Sequence, residues 1–403
     1  MNLATSATHQ AIWSGVFLVA ALQTGPARQE VAAPCDRCEL RFDLAAEKPQ
    51  YEVGEPIGLA IRLTNVGTRP VAIQHTSDVT GRHDGYRFEV FNESGTRIAD
   101  PGLRSLSLLG SLGGSYPLAP GSGDSRQFTL NYQVAPLKQG RYRIQGRFNS
   151  NHPNPGLHAD AASLSFEIVD TPRSRVRERV VELVRGVNSD PRRVAPLLGF
   201  TGDTAAIAPL VDLLYRQDGG VQASAVDALL FLDRAEVTNA LLDALKGRGA
   251  RYRLVEFLVL TLQAPAAEMR PSLLRSLADS NPDARAAAVD GLRLSYAAHD
   301  PMLFAPLAGM LRDSVAKVRF SASTAVGGYE NEAALKALKT VVADTDPDVS
   351  EQATICIGWI AESASRDGET RKEAVDLLRS VAASSRARAS QQAKSWLARI
   401  GGN

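Results

Sequence analysis

Residues 279–292, DSNPDARAAAVDGL, return in altered form at 313–326 as DSVAKVRFSASTAV and at 344–357 as DTDPDVSEQATICI. In each copy a polar turn opening on Asp runs into a stretch whose small and apolar residues recur at helical spacing. Outward from these three copies the same apolar helix can be aligned on a central small residue: VQASAVDALLFL at Ala225, RYRLVEFLVLTL at Val255, ARAAAVDGLRLS at Ala288, VRFSASTAVGGY at Ala322, VSEQATICIGWI at Ala353 and ASQQAKSWLARI at Ala393. The spacings are 30, 33, 34, 31 and 40 residues. Between consecutive copies lies another amphipathic segment, such as VTNALLDALKG or EAALKALKTVVAD. Two helices per repeat predict an all-α solenoid over 171–403, in which each unit buries its apolar faces against its neighbours.

The stretches Asp279 to Arg285 and Asp313 to Arg319 resemble the short form of the HEAT repeat, also found in phycobilisome-lyase-like proteins. The resemblance implies that the turn Asp and the Arg six positions on form a ladder between repeats. The third stretch departs at Ser350. A further copy around Ala195 carries Pro196 inside its expected helix, which predicts a distorted helix there. No residue matches a chromophore-handling position, so lyase activity is not carried across. Asp344, Asp346 and Asp348 also resemble the opening of a calcium loop. That loop needs Gly sixth and Glu twelfth, where Val349 and Ile355 stand, so the Asp-Pro step is read as a helix cap.

Ahead of the repeats, over 39–170, the pattern is short apolar runs or period two, broken by Gly, Pro and Asn: LRFDLAA, IGLAIRLTNV, VAIQ, YRFEVFN, RQFTLNYQV, GRYRIQGRF and ASLSFEIVD. Leu59, Ile61 and Leu63 alternate with Ala60, Arg62 and Thr64, which places one face on a core and the other in water. Turns at Asn92 to Gly95 and Leu118 to Gly121 join runs, and 102–116 reads as a flexible Gly/Ser/Leu loop. Seven such runs predict an Ig-like antiparallel β-sandwich. Tyr51-x-x-Gly54-Glu55-Pro56-Ile57, Leu63-Thr64-Asn65, Tyr86 to Val90, Leu118-x-Pro120-Gly121 and Gly140 to Ile144 resemble the Ig-like domain of the bacterial intracellular proteinase inhibitor type. The resemblance implies, as an alternative function, inhibition or regulation of a protease through this region. The boundary falls at Thr171-Pro172, and a core on each side predicts proteolysis near 170–190 or in the 102–116 loop.

At the N-terminus, Ala11 to Leu22 is uncharged and too short to cross a bilayer, but suits the core of a secretion signal. Residues 1–27 are read as a signal-peptide-like segment, although no Lys or Arg precedes the run. Residues 28–38 form a flexible segment carrying Cys35 and Cys38, a C-x-x-C pair without the further ligands of a zinc site; a local disulfide or two free thiols are both open. Cys356, in ATICIGWI, reads as a buried small hydrophobe. The localisation this implies is periplasmic or secreted, with no stable membrane insertion of the mature chain.

The 403 residues carry 45 basic and 44 acidic side chains, a formal charge of +1. Split by region, 39–170 holds 13 basic and 14 acidic residues and 171–403 holds 30 and 28, so neither half offers the cationic excess that tracks a phosphate backbone, and no nucleic-acid partner is expected. Arg outnumbers Lys 37 to 8, as codon usage in a GC-rich genome produces. No Gly-x-Ser-x-Gly, Gly-Lys or H-E-x-x-H occurs, and both folds present surfaces rather than deep clefts, so no enzyme and no cofactor are expected. His75, His83, His152 and His158, with Asp78, Asp84 and Asp160, raise an alternative metal-binding or enzymatic reading of the β-region loops. Their spacing puts no two on one wall, and solvated loop residues with no metal are the expectation.

The function read from this arrangement is that of a non-catalytic exported binding or scaffold protein, holding a protein or peptide partner on the concave, second-helix face of the solenoid. Positions facing away from each second helix's core include Arg253, Phe257, Asp290, Phe320, Glu351 and Ile355, an apolar strip rimmed by charge. The competing reading packs these side chains against the neighbouring repeat.

Overall fold

A computed structural model of the chain describes residues 40–76, 85–100, 113–150, 157–161, 163–295, 300–365 and 368–401. The signal-like segment, Cys35 and Cys38, His83, His152, Asp78, Asp84 and most of the 102–116 loop lie outside the described residues.

The first region is built of β-strands: β1 Leu40–Ala46, β2 Gln50–Tyr51, β3 Gly58–Asn65, β4 Val71–Thr76, β5 Tyr86–Asn92, β6 Gly113–Leu118, β7 Gly123–Thr129, β8 Gly140–Asn149, β9 His158–Asp160 and β10 Leu164–Ile168. One sheet has the order β1-β3-β7; a second runs β2-β10-β8-β5, with β9 on β8; β4 and β6 pair separately. Among the described residues the ladders between these strands are antiparallel except β2 with β10, and Phe42 of β1 makes one further parallel bridge to Ala161. Strand β6 begins at Gly113, inside the stretch expected to be loop, because its backbone pairs with β4 from Thr76↔Gly113 to Val71↔Leu118. The alternation read in the sequence places Leu59, Ile61 and Leu63 in the core together with Leu40, Phe42 and Leu44 of β1. Across the gap between the sheets, Tyr86 of β5 meets Phe42 of β1 at 5.6 Å and Phe128 of β7 at 5.3 Å between ring centres. Phe148 of β8 completes this aromatic centre, 5.0 Å from Tyr86.

After β10 the chain is helical: α1 Arg173–Gly186, α2 Pro191–Phe200, α3 Ile207–Leu213, α4 Gly219–Leu229, α5 Arg234–Arg248, α6 Tyr252–Glu256, α7 Ala266–Ser276, α8 Pro282–Ser295, α9 Pro301–Gly309, α10 Ala316–Gly327, α11 Glu332–Leu338, α12 Pro347–Ser363, α13 Glu369–Ala382 and α14 Ala387–Gly401. The even-numbered helices are the aligned copies. One apolar cluster runs through the array from Val180 to Ile400. Most even-numbered neighbours, α2 with α4 and α8 through α14, pack closely, because small residues sit where they cross. A Cβ on Gly199 would stand 2.6 Å from the Ala228 carbonyl oxygen, one on Gly327 2.5 Å from Cys356, and one on Gly358 2.3 Å from the Trp396 ring. The second helices form one packed layer of the array, the face expected from sequence to be the inner one.

Two local expectations are corrected. Helix α2 persists through Pro196, with Pro191 in its first turn, Asp190 accepting from Arg193 N, and Val194, Ala195 and Leu198 buried; that packing outweighs the roughly 3 kcal/mol penalty of an interior proline. RYRLVEFLVLTL is not one α-helix: after Glu256 it widens into a π-helical segment, Phe257–Thr261, with Leu262 N donating to Phe257 O at 2.9 Å. Leu254, Val255, Phe257 and Leu258 are all buried, and the wider turn closes only after them, at Leu262.

The two regions touch. Arg179 of α1 donates to Val53 O and pairs with Glu52, while Val53 N donates to Thr171 Oγ1 at 2.9 Å. Tyr132, just after β7, stands edge-on to Phe200 at 5.0 Å, and Phe200 likewise to Phe231 at 5.3 Å. Gly54, at φ 74°, lies so close to the first repeat that a Cβ there would be 2.7 Å from Thr201 Cα. The Tyr51-x-x-Gly54-Glu55-Pro56 motif is thus the turn that seats the β-region on the solenoid.

Candidate partner-binding face

The ladders that hold the repeats in register fix this face. Arg285 of α8 grips Asp313 with two bonds, 2.7 and 2.8 Å, and Arg319 of α10 grips Asp344 in the same way. Each Arg also donates back to its own turn, to Asp279 O and Asp313 O at 2.9 Å. These guanidinium bonds hold the Asp313 and Asp344 carboxyls below their ordinary range. Where the third stretch carries Ser350, its hydroxyl donates to Val342 O, closing the turn without reaching the next repeat. Asp346 accepts from the backbone of Asp348 and Val349, and Asp344 accepts from Asp346 N, so the three aspartates act as turn and cap.

A second ladder crosses the inner face between second residues of the helices. Lys317 of α10 pairs with Asp283 of α8 at 2.7 Å, and Arg388 of α14 pairs with Asp348 of α12. Arg388 also pairs with Glu351. On α12 the residues Asp348, Glu351, Gln352 and Ile355 follow helical spacing and share one side. With Phe320 of α10 and Arg388 of α14 they line a cleft of about 370 Å³. Phe320 is 39% exposed and Ile355 is half-buried, so the apolar wall meets solvent. The Glu351 carboxylate is recessed, its side chain 18% exposed, and accepts from Gln392 Nε2 at 3.2 Å. Below the cleft, Gln352 Nε2 lies 3.6 Å from Cys356 Sγ; that thiol is fully buried, donates to Ser323 O at 3.4 Å, and is pushed up to about 12 by burial.

Of the six residues singled out by sequence, the structure brings together Phe320, Glu351 and Ile355. Arg253 and Asp290 lie on the neighbouring inner helices α6 and α8 but do not line the cleft. Arg253 is engaged with Glu256 at 2.7 Å. Asp290 is largely buried, accepts from Ser321 Oγ at 3.2 Å and has Arg293 at 3.8 Å; burial pushes its carboxyl up against the pull of these neighbours. Phe257 is overturned as a surface residue: it is 0% exposed, in the π-helical segment and part of the solenoid core. Its side chain packs into the array instead of meeting solvent. Asp348 and Arg388 were missed. The i, i+3, i+4, i+7 pattern on α12 signals Asp348, and the alignment of Ala393 with Ala353 puts Arg388 at the position of Asp348.

In the β-region, a wider concavity of about 590 Å³ crosses β1, β3 and β7, lined among others by Asp43, Arg62, Ser125 and Gln127. His75 lies on β4 and His158 on β9, and Asp160 pairs with Arg147 at 3.0 Å. Among the described residues no group of three or more His, Cys, Asp or Glu is placed to hold a metal, and no helix is long and apolar enough to cross a membrane.

No curated protein matches the chain. Among solved structures, an archaeal HEAT-like repeats protein from Thermococcus onnurineus NA1 is similar at 14% identity over 58% of this chain and 99% of that one, TM-score 0.38. Computationally designed armadillo repeat proteins for modular peptide recognition are similar at 18% identity, over 54% and 98%, TM-score 0.31. The complex of CpcE and CpcF of phycocyanin lyase from Nostoc sp. PCC7120 is similar at 18% identity, over 50% and 81%, TM-score 0.29. The family model of HEAT repeats matches residues 270–358, the stretch that contains both Arg–Asp ladders and most of the cleft.

Proposed function

We propose that the protein is a non-catalytic binding or scaffold protein, exported to the periplasm or secreted, whose inner second-helix face holds a protein or peptide partner while the Ig-like β-region closes the first end of the solenoid. The observation that carries this reading is the cleft between α10, α12 and α14, where an exposed aromatic ring and an aliphatic wall stand among ordered, paired charges. Exposed aromatics inside a polar rim are the usual anchors of protein interfaces. HEAT-type repeats, which commonly mediate protein binding, offer such a face without any reacting group. Export is supported by the uncharged run Ala11 to Leu22.

Site-specific photocrosslinking tests the face. A benzophenone side chain at position 320 or 355 should yield a discrete adduct in cells, and the same probe at Glu236, exposed on α5 in the first-helix layer, should not. Equal adducts at all three positions, or none at 320 and 355, overturn the assignment.

A further inference from the structure

The inner ladder accounts for Asp348 and Arg388, which repeat the pairing of Asp283 and Lys317 from second residue to second residue of neighbouring inner helices. Glu351 is outside that pattern. Its equivalents three residues after Asp283 and Lys317 are Ala286 and Phe320, so the repeat itself requires no carboxylate there. The cleft therefore holds two carboxylates and one guanidinium, a surplus negative charge recessed beside an aromatic ring. Arg388, more than half exposed, divides itself between Asp348 and Glu351.

From this juxtaposition of the surplus Glu351 carboxylate with Phe320 and Ile355, and resting on the partner-binding reading above, we propose that the cleft takes a Lys or Arg side chain from an extended segment of a protein partner. The aliphatic stem lies along Phe320 and Ile355, and the cationic head meets Glu351, with the Phe320 ring adding its face to the attraction. Burial against the apolar wall excludes water and strengthens the charged bond relative to one on open surface. Arg388 is then a competitor for Glu351, and its release to Asp348 alone accompanies binding.

The test is selection of random 12-residue peptides displayed on phage against the immobilised full chain. Arg or Lys next to an apolar residue should be enriched, Glu351→Gln should lower capture of the selected peptides by about tenfold or more, and Arg388→Gln should leave it unchanged or raise it. Thermal melts of both variants check that the array is intact. Enrichment of Asp or Glu with loss in Arg388→Gln, capture indifferent to Glu351→Gln, or no enrichment at all overturns the proposal. Should crosslinking from position 320 persist in Glu351→Gln at its normal level, the binding face stands and the cationic occupant is wrong. Absence of crosslinking in the unaltered protein removes both.

Discussion

Gly54→Ala should unseat the β-region from the solenoid. The backbone at Gly54 is left-handed, φ 74°, which costs an L-residue about 1 to 2 kcal/mol, and the added Cβ would sit 2.7 Å from the Thr201 Cα, a backbone atom that cannot swing aside. The backbone cost stays with the turn; the clash alone, taken as about 2 kcal/mol against docking, raises the undocked population roughly thirtyfold. Helix α1 reports this directly. It carries Arg173, Arg175, Arg177, Arg179 and Arg185, and Arg179 is tied to Val53 and Glu52 in the docked state. Limited trypsinolysis of the unaltered chain should therefore spare 170–190, contrary to what the sequence alone suggests, and Gly54→Ala should cut there roughly thirtyfold faster. Gly95→Ala is the control: its φ is 78°, so the backbone penalty is similar, but nothing lies within 4 Å of the added carbon. Equal rates at 170–190 in the two variants, or no acceleration in Gly54→Ala, refute the docking argument.

Phe257→Ala, removing a fully buried ring, should cost about 3 to 5 kcal/mol in urea or thermal unfolding, whereas Phe320→Ala should cost substantially less because no closed cavity forms. The Arg285–Asp313 and Arg319–Asp344 pairs make stability depend on acid: both carboxyls are depressed in the folded state, so their contribution is present above the unfolded value near 4 and disappears as pH falls through the folded ones. Asp313→Asn with Asp344→Asn should flatten that part of the stability curve below about pH 4, measured by urea midpoints; an unchanged slope counts against the ladders as its source. N-terminal sequencing of the protein from the cell envelope should find a start between residues 24 and 34, and a start at Met1 there removes the cleaved-signal reading.

Periodicity exposed the helical array because burial in a repeat is local: each second helix hides its small residues against the next, and that demand returns every 30 to 40 residues. The Arg–Asp ladders were legible for the same reason, since one residue pair is reused at each step. Two things were hidden. The burial of Phe257 was hidden because Leu254, Val255, Phe257, Leu258, Val259 and Leu260 follow almost without a polar break, so the period of that stretch does not choose a face. The contact between regions rests on one turn, Gly54, and on rings at Tyr132 and Phe200, none of which differs in sequence from ordinary strand and helix residues.

The cleft shows why a site on a repeat protein is harder to read than its fold. The identities of Phe320, Glu351 and Ile355 break the repeat instead of following it: Ala286, Phe320 and Glu351 share one position of the alignment and are chemically unrelated, as are Phe257, Asp290 and Ile355 at another. Alignment finds the positions, but only the crossing of α14 over α12 brings Arg388 to Glu351 and closes the third wall. Residues that preserve the repeat therefore report architecture, and residues that break it on the inner face, where close helix packing leaves exposed only side chains too large or too charged to fit between neighbours, are where a partner's chemistry is to be sought.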